Sequence, residues 1–429
     1  NKDLIQFEPD GSVKDVKAYG YEMAGFAETC VDLYLQLSGA PRSTLTKVST
    51  PNVDDHMLEP ELFEGKGQLN EVAIRIVLKI LFLARRCRCD IMWATASLAR
   101  EVTKWSPACD KRLHRLICYI HTTKDWMLQA FVGNVPAECQ LVLWADADFA
   151  GSLRDSKSTT GAYLMLVGPK TFVPITWISK KQTAVSHSST EAELIALDAG
   201  MRTEALPILA FWDTICQVFH PEKLPKGTGP QLPPAGYSLG ELLEKYIDWV
   251  PPSLPPHSDM AKLKICADND AVLKLLIKQR NPRLRHVVRT HRVNTDFIFT
   301  VIHDDECISA RYVNTKVQIA DMMTKAGFTA DQWNYLCSLA QVGPVDKSLI
   351  VTEVKVAKKS KVCCFLKNKN SRPELKITPQ ISGTNGNIDN SCGTGHERPI
   401  GSIYSEYHRS TGCSSPIGSL YVNGHSING

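Results

Sequence analysis

Three short apolar runs follow one another from Leu141, and they constrain the fold of this chain more than any other feature of its sequence. The runs read LVLWAD, GAYLMLV and VPITWIS, and the links between them, GSLRDSKSTTG and GPKTF, are rich in turn-forming residues. Apolar residues that alternate over such lengths are typical of strands with one buried face. Because consecutive strands with short links pair antiparallel, the pattern predicts a meander of three strands.

Helical patterns alternate with two more strands after the meander. The segment Ser188–Trp212 predicts a helix that Ser189 or Thr190 caps and that Pro207 kinks or splits. LKICAD and ECISARYV predict a fourth and a fifth strand, and NDAVLKLLIKQ and QIADMMTKAG predict the helices after them. Helical crossovers favour parallel strands. We therefore expect an α/β fold with a mixed five-stranded sheet and helices on both faces.

The rest of the chain divides into three further stretches. Residues 1–134 are predicted to be mostly helical, because Glu71–Ala84 has dense helical periodicity and Ser106-Pro107 is typical of a helix start. Pro- and Gly-rich sequence at about 217–260 predicts a loop insertion. From residue 343 to 429 the periodicity is lost and Ser, Gly and Asn dominate, which predicts a disordered tail.

Cysteine spacing and charge exclude some classes of protein. The fourteen cysteines form no CxxC pair, so a zinc finger or ribbon finds no support. Cys87 and Cys89 are interpreted as packing or surface thiols, and His286 and His291 in HVVRTH as part of a basic surface segment. No run approaches the roughly eighteen apolar residues of a membrane span. A net charge of +4 neither demands nor excludes nucleic acid.

Four carboxylates fall where the predicted strands and helices meet. Asp146 ends the first strand, Glu193 lies in the first turns of the following helix, Asp268 ends the fourth strand, and Asp321 lies at the predicted start of the last helix. A mixed sheet can gather such positions at one edge. Carboxylates avoid the interior unless a cation compensates them, and Mg²⁺ prefers oxygen ligands. The four acids are therefore predicted to share divalent cations.

The blocks around these acids resemble the ribonuclease H domain of copia-type LTR retrotransposon Pol polyproteins. WADADFAGSLRDSKSTTGAYLMLVG, ITWISKKQTAVSHSSTEAELIAL, CADNDAV and YVNTKVQIADMMTK occur in the family's order and cover about residues 141–328. RRCRCDIMWATASLAREVTKWSPACDKRLHRLICYI resembles the connection that follows reverse transcriptase, with Cys89 where the family usually has proline. The resemblance makes residues 1–134 a connection remnant and 135–342 a ribonuclease H-like domain, in a fragment of a longer polyprotein.

The resemblance also implies an activity. Asp146, Glu193, Asp268 and Asp321 become ligands of two Mg²⁺ ions, with Mn²⁺ as a substitute, in the hydrolysis of the RNA strand of RNA–DNA hybrids during reverse transcription. The implied partners are the hybrid and the reverse transcriptase and integrase parts of the polyprotein, with no membrane. The implied location is inside the cell, in a cytoplasmic virus-like particle or the nucleus. The polymerase palm is absent from the sequence, so we expect no polymerase activity.

Some neighbouring acids leave alternatives open. Glu191 is close enough to be confused with Glu193, but AELIAL matches the family's register at Glu193, which makes Glu191 a surface acid favoured by the helix dipole. Asp148 is either a turn residue or an accessory ligand, and Asp270 is expected to start the helix after Asp268. The residues expected to contact nucleic acid, rather than to form inert solvated surface, are Lys180, Lys181, Gln182, Arg283, Arg285 and Arg289.

Two departures from the family pattern keep a second function open. Many ribonucleases H have a histidine about ten residues before the last Asp, where this chain has Arg311, and copia-type members generally lack that histidine as well. The interval from Glu193 to Asp268 is 268 − 193 = 75 residues, lengthened by the predicted insertion. The alternative is a catalytically decayed or co-opted nucleic-acid-binding relic of the same polyprotein. An integrase or transposase of similar fold would use three acids and a flanking zinc motif that is absent from the sequence.

Overall fold

A computed structural model describes residues 2–7, 13–219, 260–279 and 284–344. All of them belong to one compact unit of the chain. Most of the predicted insertion, the predicted nucleic-acid contact Arg283, and the predicted tail from residue 345 onward lie outside the described residues. In the described part, no helix has the length and apolar character that crossing a membrane requires.

One mixed sheet runs through the described residues. Its strands are β1 Lys2–Phe7, β2 Val13–Tyr21, β3 Trp126–Val132, β4 Gln140–Asp148, β5 Thr159–Gly168, β6 Thr171–Lys181, β7 Leu263–Ala267, β8 Ile308–Tyr312 and β9 Val342–Pro344. The strand order is β1-β2-β3-β6-β5-β4-β7-β8, and β9 pairs with β3. The chain is therefore an α/β protein with a mixed sheet.

The predicted meander and the predicted parallel additions are both confirmed. Strands β4, β5 and β6 pair antiparallel, whereas β7 pairs parallel with β4 and β8 parallel with β7. The predicted size of five strands was wrong. Strand β3 pairs with β6, and β2 and β1 continue the sheet beyond it. The segment before residue 135, predicted to be mostly helical, thus also supplies three strands.

The α-helices include those predicted over 71–84, from Ser106 onward and over 269–279, together with others that the sequence did not predict. They are α1 Ala24–Ser38, α2 Ala73–Arg86, α3 Met92–Glu101, α4 Pro107–Thr122, α5 Ser189–Gly200, α6 Leu206–Phe219, α7 Asp270–Lys278, α8 Val287–Thr290, α9 Thr295–Asp304 and α10 Ala330–Leu339. Short 3₁₀ turns occupy Arg42–Thr44, Asp55–Met57, Pro60–Phe63, Cys89–Ile91, Pro136–Glu138, Thr315–Val317 and Ile319–Met323. Asp270 starts α7, as predicted.

Two predicted helix features need correction. The cap of α5 is Ser188, whose side chain accepts from the backbone N–H of Glu191, and the break comes at a π-helical turn over Met201–Ala205 rather than at Pro207. Pro207 lies in the first turn of α6, where a missing N–H costs little. QIADMMTKAG does not start a long helix. It forms the 3₁₀ turn Ile319–Met323, and α10 begins later behind the capping box of Thr329.

Helices cover both faces of the sheet, and the alternation along β4 shows how. Leu141 and Leu143 pack into a core with α5, α7 and α9. Val142 and Trp144 pack into a second core with α1 to α4 and α10. Since successive side chains of a strand point to opposite faces, the apolar run LVLW fits a strand that is buried on both sides.

The second core has a buried ion pair at its centre. Arg88 is fully buried and donates to both carboxylate oxygens of Asp90, at 2.8 and 2.7 Å. It also donates to the backbone oxygen and the hydroxyl of Thr123. The flanking Cys87 and Cys89 are buried, and burial raises the pKa of the Cys87 thiol to about 11. Both cysteines are therefore packing thiols, one of the two roles that the sequence left open.

Candidate metal centre

The parallel pairing of β4 with β7 brings two of the predicted ligands side by side. Trp144 is paired with Cys266 in this register. Asp146 and Asp268 each lie two residues further along their strands, so both carboxylates emerge at the same edge. Helix α5 packs on β4 and presents Glu193 to this edge. One oxygen from each of Asp146, Glu193 and Asp268 lies within 4.8 Å of the other two.

The three carboxylates repel one another in a partly dry environment. Asp146 is only 2% exposed, and Glu193 and Asp268 are half-buried. Burial raises the pKa of Glu193 to about 7, and the charges of Asp146 and Asp268 add to the increase. A divalent cation between them would remove this penalty, and three carboxylate oxygens are the donors that Mg²⁺, Mn²⁺ or Ca²⁺ prefers.

Asn269 holds Glu193 in position. Its side chain caps α7, because the side-chain oxygen accepts from the backbone N–H of Ala271, and its amide nitrogen donates to Glu193 Oε1 at 2.9 Å. The amide thereby uses its acceptor for the helix and its donor for the carboxylate. Sequence reasoning missed this residue, although it directly follows Asp268 in CADND.

Asp321, the fourth predicted ligand, lies beside the group of three but outside it. It is buried on the 3₁₀ turn, and its Oδ1 is 2.7 Å from Lys325 Nζ. The same ammonium lies 3.4 Å from Asp146 Oδ2. Burial and the charge of Asp146 raise the pKa of Asp321, and Lys325 opposes that increase. The side-chain ammonium of Lys325 therefore pairs the fourth acid with Asp146.

The 3₁₀ turn reaches the sheet because the strand next to β4 carries a glycine. Gly161 is paired with Asp146, and a Cβ atom built on it would lie 2.5 Å from Thr324 Cγ2 and 2.9 Å from the backbone oxygen of Ala320. This close approach lets Thr324 Oγ1 donate to Asp146 Oδ2 at 2.5 Å. Sequence reasoning also missed Thr324 and Lys325, which directly follow Asp321 in DMMTK.

Glu191 is not the surface acid that the sequence predicted. It is 1% exposed, accepts from the backbone N–H of His187 at 3.1 Å, and has Oε2 3.2 Å from His286 Nε2 and Oε1 3.2 Å from His291 Nε2. His291 is buried as well, so the prediction of a plain basic surface segment at HVVRTH was wrong. Burial lowers the pKa of His291, and Glu191 opposes that shift. Glu191 therefore links the start of α5 to α8.

Asp148 ends β4 and is not one of the three acids whose oxygens converge. Its carboxylate covers Gly151, where an added Cβ would lie 1.5 Å from Oδ2. Burial raises the pKa of Asp148 to about 6. It lines a cleft of about 860 Å³ between the helical part and the β4–β5 link. The basic residues of this cleft are Lys66, Arg100, Lys104, Arg112, Arg154 and Lys181.

The predicted nucleic-acid contacts differ in their availability. Lys180 is exposed, as are Arg285 and Arg289 near α8. Lys181 is partly engaged, with Nζ 2.6 Å from Asp155 and 2.9 Å from Ser152 Oγ. Gln182 is buried, and its amide donates to the backbone oxygen of Ala192 at 2.8 Å. Its side chain thus supports the start of α5 and offers no surface to a nucleic acid in this arrangement.

Curated proteins similar to this chain include one short protein and two long polyproteins. The chain is 31% identical over 118 residues to secreted RxLR effector protein 161 of Plasmopara viticola, which covers 28% of this chain and 78% of that protein. It is 31% identical over 150 residues to the retrovirus-related Pol polyprotein from transposon RE1 of Arabidopsis thaliana, which covers 35% of this chain and 10% of the polyprotein.

A second polyprotein of the same plant gives the highest identity of the three. The Pol polyprotein from transposon RE2 is 41% identical over 106 residues, which covers 25% of this chain and 7% of the polyprotein. The chain thus spans only a small part of either polyprotein. No family model matches the chain, and no solved structure matches it.

Proposed function

We propose that this chain, which belongs to the same family as the Plasmopara viticola protein and is related to copia-type retrotransposon Pol polyproteins, is a ribonuclease H. The proposed reaction is metal-dependent hydrolysis of the RNA strand of an RNA–DNA hybrid. The proposed fold is ribonuclease H-like, formed by strands β4 to β8 with helices on both faces. The hybrid and the other parts of a Pol polyprotein are the proposed partners, and the cytoplasm or the nucleus is the proposed location.

One observation carries this proposal: three acids from distant parts of the chain converge at one edge of the sheet. Asp146, Glu193 and Asp268 come from β4, α5 and the end of β7, and their oxygens lie within 4.8 Å of one another. Carboxylates of like charge gather in this way at sites that bind cations or perform acid–base chemistry. The oxygen-only donor set fits Mg²⁺, which keeps several waters and coordinates phosphate oxygens.

The protein's own residues would prepare the site for this reaction. Asn269 orients the carboxylate of Glu193, and Thr324 orients that of Asp146. A divalent ion bound to these acids would activate a water molecule and stabilise the leaving oxygen. The exposed Lys180, Arg285 and Arg289 are suited to the phosphates of the hybrid. Discrimination of RNA from DNA would depend on contacts to the 2′-hydroxyls.

The direct test is cleavage of an RNA–DNA hybrid with a labelled RNA strand by the full chain in Mg²⁺. We expect RNA fragments with 5′-phosphate ends, no cleavage in EDTA, and no cleavage of a DNA duplex. Asp268→Asn should abolish cleavage and leave hybrid binding largely intact. Asp270→Asn is the matched control, because Asp270 starts α7 outside the group of three acids.

The same experiment distinguishes the enzyme from a nucleic-acid-binding relic of the polyprotein. A relic would bind the hybrid and leave the RNA strand intact at every Mg²⁺ and Mn²⁺ concentration. Binding without cleavage by the full chain would therefore overturn the enzymatic proposal and leave only the ancestry.

A further inference from the structure

Lys325 places a positive charge inside the acidic site. Its ammonium lies 2.7 Å from Asp321 Oδ1 and 3.4 Å from Asp146 Oδ2. Its side chain is 35% exposed, whereas the side chains of the two acids are 7% and 3% exposed. The ammonium therefore contacts two buried carboxylates, one from the sheet and one from the 3₁₀ turn.

The backbone keeps Lys325 in this position. Its N–H donates to the backbone oxygen of Asp321 at 3.0 Å, and its own backbone oxygen accepts from Asn52 Nδ2 at 3.5 Å. The spacing of four residues between Asp321 and Lys325 directs the side chain back over the turn. The ion pair thus follows from local geometry as well as from charge.

The contacts of Asp146 divide its two oxygens between different partners. Oδ2 accepts from Thr324 Oγ1 at 2.5 Å and lies within 3.4 Å of the ammonium of Lys325. With Oδ2 engaged by these two residues, a cation shared with Glu193 and Asp268 would bind through Oδ1. Asp321 has its Oδ1 bound to Lys325. The ammonium of Lys325 therefore already contacts both Asp146 and Asp321.

We propose that the ammonium of Lys325 replaces the second divalent ion, so that the free protein binds one metal ion tightly, through Asp146, Glu193 and Asp268. With all four acids ionised, the site has four negative charges and Lys325 has one positive charge, which leaves a net charge of 4 − 1 = 3 negative. One divalent ion reduces this to one negative charge. A second ion beside Asp321 would lie next to the ammonium and would be repelled by it.

This inference rests on the proposed function but revises the two-ion arrangement that the resemblance implies. It also gives Lys325 a role in metal binding, in addition to its ion pair with Asp321 in the 3₁₀ turn. Asp321 becomes the residue that holds the lysine over Asp146, rather than a direct ligand of a metal ion in the free protein. Lys325 is then a positioning residue for the metal centre.

Counting bound Mn²⁺ ions tests the inference without any measurement of cleavage. The full chain at pH 8 is titrated with Mn²⁺, and the free ion is quantified by electron paramagnetic resonance. We expect one tightly bound ion per chain in the wild type and two in Lys325→Met, with the second ion bound about tenfold or more tighter than in the wild type. Lys325→Arg keeps the charge and should bind one.

Lys316→Met is the matched control, because Lys316 is an exposed lysine on the neighbouring 3₁₀ turn. It should bind one ion, like the wild type. Circular dichroism and urea unfolding identify any variant that does not fold, and Lys325→Gln then replaces Lys325→Met. Two tightly bound ions in the wild type would overturn the inference even when both variants are lost.

The outcomes separate this inference from the proposed function. Two ions of similar affinity in the wild type, or one ion in both Lys325→Met and the wild type, would overturn the role of Lys325 and leave the nuclease proposal standing. No bound Mn²⁺ in the wild type, together with no hybrid cleavage, would overturn both.

Discussion

Glu191 and Glu193 are separated by one residue, yet the structure gives them opposite effects on stability and on metal binding. Glu191 is buried and contacts two histidines and a backbone N–H. Glu193 is half-buried and faces two other carboxylates. We therefore predict that replacing each by glutamine separates the two roles within one turn of α5.

The expected magnitudes follow from the contacts. Glu191→Gln removes the charge from a buried acceptor, and a hydrogen bond to a charged group contributes about 1.5–3 kcal/mol, so the metal-free variant should lose about 2–3 kcal/mol of unfolding free energy. The pKa of Glu193 rises from 4.5 to about 7 on folding. At about 1.4 kcal/mol per unit, ionised Glu193 costs the metal-free protein on the order of 3 kcal/mol at pH 8.

The sign for Glu193 is opposite to that of Glu191. A carboxyl whose folded pKa is raised destabilises the folded state as pH rises between the unfolded and folded values. Glu193→Gln has no such charge, so in EDTA at pH 8 it should be more stable than the wild type. In Mg²⁺ it should gain nothing. The wild type and Glu191→Gln should gain about 2.7 kcal/mol at an ion concentration of roughly 100 times Kd.

Urea unfolding in EDTA and in Mg²⁺ at pH 8 measures the unfolding free energies of the wild type and of both variants. The two variants serve as controls for each other, since they make the same chemical change in the same helix. Loss of the Mg²⁺ effect in Glu191→Gln with its retention in Glu193→Gln would show that the ligand register is reversed. Equal losses in both would refute the argument that separates a structural acid from a metal ligand.

Three further predictions concern packing, the buried ion pair and pH. Gly161→Ala should lose about 1–3 kcal/mol in urea unfolding and bind Mn²⁺ more weakly, because its Cβ would displace the turn over Asp321, whereas Gly25→Ala, with open space around it, should lose no stability. Asp90→Asn should lose about 3–5 kcal/mol in the same assay, because it leaves a fully buried guanidinium without its carboxylate, whereas Glu71→Gln in an exposed pair should lose under about 1 kcal/mol. Mn²⁺ affinity, measured calorimetrically, should fall about fivefold from pH 7 to pH 6, because Glu193 with its pKa near 7 must lose a proton to bind. A constant affinity over this range would contradict the assigned burial of Glu193.

The sequence predicted the centre of the sheet because the signals there are local. Apolar alternation identifies β4, β5 and β6, and short links make their antiparallel pairing nearly unavoidable. The parallel addition of β7 follows from the helices between the strands, and it brings Asp146 beside Asp268. The proximity of Asp146 and Asp268 could therefore be predicted from the strand ends and the order of the strands.

Other features depend on contacts between distant segments, which periodicity does not reveal. The burial of Glu191 depends on His286 and His291, about a hundred residues away in sequence. The sequence places Gln182 in a polar loop, but its side-chain amide donates to the backbone oxygen of Ala192. The ion pair of Lys325 was within reach, because an acid and a lysine four residues apart face the same side of a helical turn. The resemblance made Asp321 a metal ligand instead, so an ion pair with Lys325 was not predicted.

The helical part before residue 135 and the acid-bearing part after it were predicted to be two separate domains, yet they share one core. Strand β3 pairs with β6, Trp177 of β6 donates to the backbone oxygen of Ala84 at 2.9 Å, and Tyr163 stacks on Trp177 within the same cluster as α2 to α4. One face of the central strands is thus buried only because these helices cover it. The three converging acids lie at the edge of that same sheet, so the position of Asp146 depends on packing that the helical part completes.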